Sequence, residues 1–417
     1  MKFAGLRISN WRQFADIDLS FHPRLTILTG PNGVGKTSLL SILANHFEVQ
    51  PAWTSIPVYY NGKFGFSAGL KIRKLLRFPT LRMPTGEVGS KIGEIQYSDP
   101  AAICSVVMPA SIEKPLVGTE VFTLGFDGMV TVFGCHISSV RPLPFYYKVA
   151  KLKALAPASV EDMLRELNDA VLRPQDLGLI LKRQLLASAP EDNPPLLRPA
   201  VPAWFEDFRR TLADTLPPEI GFVSIVTRQN ELVVQSTDGE FSFDNCSAGI
   251  KSVIFVCWKI FLASLLNGPI SVTIDEPESH LHPAMQQTFM TGLIRNFPLA
   301  QFIVATHSPF TITASADSAV YVIRFDKTGV VSELLDTADF RSSTPDDVLR
   351  DVLGLPFTMP IWAAQSLERI VEKHTKETMS AESFRALARE LKVEGLGEFI
   401  PESLEMIDKR STDDQDR

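Results

Sequence analysis

Cysteine is scarce. The four residues Cys104, Cys135, Cys246 and Cys257 stand far apart and form no CxxC pair, which excludes a disulfide framework and a zinc knuckle and fits a reducing, cytoplasmic compartment. Long apolar runs are also missing. The most apolar stretch, from Val253 to Leu266, is interrupted by Lys259 and is shorter than the ~20 residues that span a bilayer, so it reads as a buried core helix and no membrane association is expected. The N-terminus, MKFAGLRISNWRQFADIDLSF, alternates apolar and polar residues instead of carrying the continuous apolar region of a secretory signal. Positive charge is not in excess either: 41 Lys plus Arg against 48 Asp plus Glu give a net charge of -7. That balance excludes a general nucleic-acid coat and leaves room only for a regional contact. Internal repeats and sustained heptads are absent.

What remains is a chain of 417 residues, 45% hydrophobic and 21% charged, large enough for two or three units with a real core. Residues 2–9 and 24–30 read as strands, and a helix is expected from Thr37 to about Phe47. Between them and residue 92 the pattern loosens around a basic run, Lys71, Arg73, Lys74, Arg77, Arg82 and Lys91, interrupted only by Glu87; it looks like an insertion. Short apolar runs at 92–97, 103–108, 121–124 and 129–133 suggest an antiparallel sheet beside the first strands. Helical periodicity covers 158–187, and the proline-dense stretch 189–202 reads as an exposed connection. A helix near 203–214, strands at 220–227 and 231–236, a helix at 249–265, a strand at 269–275, a helix near 283–296 and a strand at 301–305 follow. This alternation is the pattern of a parallel sheet covered on both faces. From 345 onward the chain reads as helical, with a polar tail at 411–417 expected to fray.

Gly30-Pro-Asn-Gly-Val-Gly-Lys-Thr37 matches G-x-x-x-x-G-K-[ST] between an expected strand and an expected helix, the context in which the pattern acquires a mechanism. Gly30, Gly33 and Gly35 let backbone N–H groups turn toward phosphate oxygens, Lys36 supplies a point charge to the β and γ phosphates, and Thr37 offers Mg²⁺ a hydroxyl. Asn32 and Ser38 complete the candidate nucleotide-binding set, and ATP or GTP is the implied ligand. The strand at 269–275 then delivers Asp275 and Glu276 at its carboxyl end, where ligands of open α/β sheets collect. Asp275 suits a Mg²⁺ ligand and Glu276 a general base. Glu278 is set aside, because a carboxylate at a helix start is stabilised by the dipole whether or not it touches substrate. His307, after the 301–305 strand, sits where it could hydrogen-bond a γ phosphate. His280 and His282 do not share a helix face and carry no metal-site reading. Upstream, Ser247 and Gly249 make a small-residue helix start that would pass, alone, for an ordinary cap.

The order of these motifs resembles the ABC-type ATPase heads of the RecF, SMC and OLD families, over residues 1–50 and 240–325. The resemblance implies an α/β P-loop head: a mostly parallel sheet with helices on both faces, an antiparallel N-terminal sheet, a helical insertion and a helical C-terminal region. It divides the chain into an N-terminal lobe (1–150), a helical lid (151–240), a C-terminal lobe (241–335) and a helical end (336–417). It also implies ATP and Mg²⁺ as cofactors, catalysis by Glu276 and His307, metal binding by Thr37 and Asp275, and a homodimer or higher oligomer in which Ser247, Gly249 and Lys251 act in trans. The segments Asp275-Glu-Pro-Glu-Ser-His-Leu-His-Pro283 and Ala305-Thr-His-Ser-Pro-Phe310 look most like the OLD-type ATPases of prokaryotic anti-phage systems, as does 348–355.

Two departures from those families stand out. No coiled coil separates the lobes, and no Asp-x-Asp follows Arg324 at a strand end, so a TOPRIM nuclease domain is not expected and a separately encoded effector, a nuclease or toxin, is. A RecF-like repair ATPase that binds DNA through the basic run is the alternative, set against a plain solvated loop; a transporter motor ranks last. Two further guesses concern Gln96, as a lobe-one contact to Mg²⁺, and Arg141, as a residue lining the nucleotide or interlobe surface.

Overall fold

The computed structural model describes the chain except residues 55, 61–62, 68–79, 83–87, 110–120, 142–158, 171–172, 192–200, 230, 336–343, 356–358, 376–380, 402, 405 and 408–417. Lys71, Arg73, Lys74 and Arg77 of the basic run, most of the proline-dense connection and the polar tail therefore lie outside the described residues. The rest forms two compact units, Met1–Val348 and Leu349–Arg417.

The larger unit opens with strands β1 (Phe3–Trp11), β2 (Phe14–Ser20) and β3 (Leu25–Thr29), followed by helix α1 (Lys36–Ala44). In β2, Phe14, Ile17 and Leu19 are buried while Asp16, Asp18 and Ser20 are exposed, the alternation of a strand with one wet face. All five residues of β3 are buried, as a strand covered on both faces requires. Strands β4 (Val88–Tyr97), β5 (Ile103–Pro109) and β6 (Gly134–Ile137) follow, then helices α2 (Val160–Asp169), α3 (Leu177–Ser188) and α4 (Trp204–Thr215). Next come β7 (Phe222–Arg228), β8 (Glu231–Ser236) and β9 (Gly239–Ser242), helix α5 (Ala248–Leu266), β10 (Ser271–Asp275), α6 (Pro283–Asn296), β11 (Gln301–Ala305), β12 (Ala319–Asp326) and β13 (Gly329–Leu335).

A 12-stranded mixed sheet organises the unit, with the order β5-β4-β1-β2-β13-β12-β3-β11-β10-β6 and short strands Gly125–Asp127 and Thr80–Arg82 on its antiparallel side. Strands β12, β3, β11, β10 and β6 run parallel, whereas β2, β1, β4 and β5 pair antiparallel. The antiparallel part is continuous with the parallel one, since β2 pairs with β13 and β13 with β12, which lies beside β3. Arg82 belongs to a strand paired with β4, and Lys91 bonds Glu94 at 3.1 Å.

Two expectations need correction. The strand anticipated at 129–133 begins only at Gly134 and lies beside β10, where a side chain at Gly134 would stand 1.7 Å from the Ser271 carbonyl oxygen. The strands expected at 220–236 do not join the parallel sheet: β7, β8 and β9 form a separate antiparallel meander. Tight links at Gln229, with a left-handed backbone (φ 48°), and at Gly239 return the chain on itself before a parallel crossover could form.

Helix α5 is long and apolar enough to cross a membrane by length and composition, yet most of it is buried within the protein. It is buried on every side from Val253 to Ala263, as a core helix should be. Trp258 of α5 packs edge-on against Phe208 of α4 with ring centroids 4.7 Å apart and donates its indole N–H to Gln184 of α3 at 2.8 Å. The smaller unit is helical, with α7 (Ile361–Thr375) and α8 (Ala381–Val393) sharing a core of Leu367, Ile370, Val371, Leu387 and Leu391.

Candidate functional site

The glycine loop leaves β3 at Gly30, whose φ of +131° and separation of only 2.0 Å between a hypothetical Cβ and the Ile323 carbonyl oxygen admit no side chain. The loop returns at Gly35, also left-handed, and α1 starts without a capping side chain. Its first-turn N–H groups therefore face the loop cavity with no side-chain acceptor of their own, the arrangement that favours an anion. Lys36 is buried and donates from Nζ to the carbonyl oxygens of Gly30 and Pro31 at 2.8 and 3.0 Å. Burial lowers its pKa, and the negative charges of Asp275, Glu276 and Glu278 oppose that fall. Asn32 and Gly33 are exposed on the loop, and in the first turn of α1 Thr37 is exposed and Ser38 half-buried.

Register brings the other residues to the same edge. Asp275 of β10 lies opposite Ala305 of β11, and Ala305 opposite Leu28 of β3, so three neighbouring parallel strands end together. The Glu276 amide donates to the Ala305 carbonyl at 2.8 Å, and the Thr306 amide to that of Leu28 at 3.0 Å. Burial pushes the Asp275 carboxyl up to about 6; a hydrogen bond from Thr37 and the charges of Arg141 and Lys36 pull it down, while Glu276 adds to the rise. Glu276 is half-buried, has a left-handed backbone with φ 48° and accepts from Ser279 Oγ at 3.1 Å.

Glu278, set aside on sequence grounds, belongs to this arrangement. Its carboxylate accepts from Thr306 Oγ1 and from the His307 amide, both at 2.8 Å, and so ties the acid turn to the start of the histidine segment. His307 is half-buried; burial and then the Lys36 charge lower its pKa, with Glu276 acting in the opposite sense. The spacing of Glu278 two residues beyond Glu276 was the available signal, but a partner on the next strand cannot be read from spacing alone.

Arg141 lies between the two lobes and not on an open nucleotide surface. It is 1% exposed, and its Nη2 donates to the carbonyl oxygens of Asp275 and Glu276 at 3.0 Å each. Gln96 is misplaced for a metal contact. It pairs with Gly5 on β1, and Gly5 lies opposite Ser20 at the far end of β2, whereas Phe14 at the near end of β2 adjoins Gly35. Gln13, between β1 and β2, is the glutamine that adjoins the loop, its side chain 2.6 Å from where a Gly35 Cβ would stand.

At the start of α5, exposed Ser247 accepts from the Ile250 amide at 3.3 Å. Gly249 is buried, with a hypothetical Cβ 2.8 Å from the His280 carbonyl oxygen, so only glycine allows α5 to approach the turn after Glu278. Lys251 is turned inward: it is 2% exposed and donates to the Asp244 carbonyl at 2.7 Å. That bond makes it a brace for the turn before α5, and the idea that it reaches across to a second subunit is corrected accordingly. His282 caps α6 by accepting from the Ala284 amide.

Residues 145–313 match the family model described as AAA domain, putative AbiEii toxin, Type IV TA system, and residues 5–44 match an AAA domain model. The chain is 28% identical over 179 residues to the Septu protein PtuA of Bacillus thuringiensis, covering 39% of this chain and 45% of that protein. It is 35% identical over 102 residues to the Retron Vc95 probable ATPase of Vibrio cholerae serotype O1 biovar El Tor, covering 22% of this chain and 20% of that protein. The chain thus spans less than half the length of the relatives it matches. Among solved structures it is similar to the SMC head domain from Thermotoga maritima, with a TM-score of 0.42 and 13% identity over 81% of this chain and 100% of that one.

Proposed function

We propose, for a chain that carries AAA-domain sequence in both halves of its large sheet, that it binds and hydrolyses ATP at a site completed by a second copy. The observation that supports this reading best is the common ending of β3, β10 and β11, with Lys36, Asp275, Glu276 and His307 within electrostatic reach of one another. In this reading the loop amides and Lys36 hold the phosphates, assisted by Asn32 and Ser38.

The residues present suit Mg²⁺: Thr37 and Asp275 form an adjoining oxygen-only pair, the donor chemistry a hard cation takes. Bound there, the ion would neutralise phosphate charge. Glu276 accepts a proton from the attacking water as the water oxygen bonds to the γ phosphorus and the bond to the ADP oxygen breaks. His307 donates a hydrogen bond to a γ-phosphate oxygen, and Ser247 with Gly249 of a second copy close on the nucleotide. Dimerisation then depends on ATP.

The Septu and retron names of the relatives, and the toxin-antitoxin wording of the matching family description, motivate the biological setting. We read the chain as the cytoplasmic sensor or regulatory subunit of an anti-phage system, whose ATP state holds or releases a separately encoded effector such as a nuclease or toxin. Affinity purification from the native host, with and without ATP, tests this. A partner protein enriched in one nucleotide state is the expected result; recovery of the chain alone in both states contradicts the regulatory reading.

A further inference from the structure

We propose that Arg141 is a positioning residue for hydrolysis: by holding both carbonyls that bracket the Glu276 backbone, it fixes the left-handed turn that aims the Glu276 carboxylate. The proposal rests on the ATPase reading above. A left-handed backbone at a residue other than glycine persists only where its surroundings impose it. At Glu276 they do so from two sides. The amide is held by the Ala305 carbonyl, and the carbonyl oxygens of Asp275 and Glu276 both accept from Arg141 Nη2 at 3.0 Å.

Arg141 reaches this turn from a distant part of the chain, just beyond the edge strand β6. Its near-complete burial keeps it away from any bound nucleotide, so it can act only through the turn. Its two shortest hydrogen bonds go to the turn; Nη1 reaches only the neighbouring Val140 carbonyl at 3.5 Å, and Nε is buried without a hydrogen-bond partner. Lys259 of α5, whose ammonium is buried and also without a hydrogen-bond partner, is a second cation within electrostatic reach of Arg141. Asp275, Glu276 and Glu278 attract Arg141, and Lys259 repels it. The acids thus favour the guanidinium at the turn.

The test compares Arg141→Met, which keeps the aliphatic stem and removes both bonds, with Arg141→Lys, whose amine is one bond shorter and still charged. ATP turnover, KM, nucleotide affinity and thermal unfolding are measured on the full chain, together with amide hydrogen exchange at Glu276. The expected result for Arg141→Met is a fall in kcat of about tenfold or more with KM and nucleotide Kd within about threefold of the parent, and Arg141→Lys in between. Exchange at the Glu276 amide should accelerate in both variants while the parallel strands keep their protection. An unchanged kcat in both variants, or losses in KM and Kd as large as the loss in kcat, overturns the proposal. If the parent protein does not hydrolyse ATP, the ATPase reading fails by itself. The exchange measurement still reports whether Arg141 holds the turn, and unchanged exchange at Glu276 overturns that.

Discussion

His307 meets the site with its pKa lowered by burial and by Lys36, so its ring is neutral near pH 7 and can donate one N–H to phosphate. Such a bond matters most as charge shifts on the γ phosphate in the transition state. His307→Ala is therefore expected to lower kcat by about tenfold to a hundredfold while leaving nucleotide affinity nearly unchanged, as steady-state kinetics and equilibrium binding would show. Equal losses in both would reduce its role to ground-state binding. Two other histidines govern stability in acid. Burial pushes His46 down to about 4 and His136 down to about 3, against an ordinary value of 6.5. Both rings are held neutral by the fold: His46 accepts from Tyr97 at 2.8 Å, and His136 lies 2.9 Å from Thr273 Oγ1. The unfolded chain binds more protons below 6.5, so these groups leave stability intact above that pH and remove it as pH falls toward 4 and 3. Near pH 5 each should cost about 2 kcal/mol. Urea unfolding of His136→Gln, compared with its parent between pH 7 and 5, should show a flatter dependence; parallel slopes would contradict the assignment.

Among the elements, the turn before α5 has the most to transmit. Lys182 of α3 is fully buried and donates to Asp244 at 2.6 Å and Glu231 at 2.9 Å, while Lys251 holds the Asp244 carbonyl. Helix α3, the antiparallel meander and the start of α5 are thereby joined three residues before Ser247. Lys182→Met leaves the Asp244 carboxylate buried without its cation and is expected to lower unfolding stability by about 3–5 kcal/mol, measured by urea denaturation; a change below about 1 kcal/mol would mean that the pair is effectively solvated. The elements were unevenly legible in the sequence. Strands β3, β10 and β11 were readable because burial on both faces demands continuous apolar residues, and the helix at 283–296 because proline marks its start. The meander β7–β9 was misread as part of a parallel sheet, since apolar strand runs look alike whichever partner they take. Strand β6 was placed a few residues early, at 129–133, because its own four residues carry His136 within the run. Lys251 and Arg141 look like free cations in sequence; only the tertiary fold buries them and supplies their carbonyl partners.

For the molecule as a whole, the large unit gathers Lys36, Asp275, Glu276 and His307 at one end of its parallel strands, while exposed Ser247 caps its own helix. In the proposed reading a site of this kind is closed from outside, with a second copy providing the complementary helix start. The net charge of -7 does not prevent such pairing, because the loop amides, Lys36 and the start of α5 present local positive potential where phosphate would lie. Lys36→Ala should abolish nucleotide binding in a direct titration, and retained affinity would remove the glycine loop from the account. The most direct test of the composite ATP site is light scattering after size exclusion on Glu276→Gln, which should bind ATP without consuming it, with and without ATP and Mg²⁺. A monomer without nucleotide and a dimer with it are expected. A mass that does not respond to ATP, in protein shown to have bound it, would contradict a site shared between two copies.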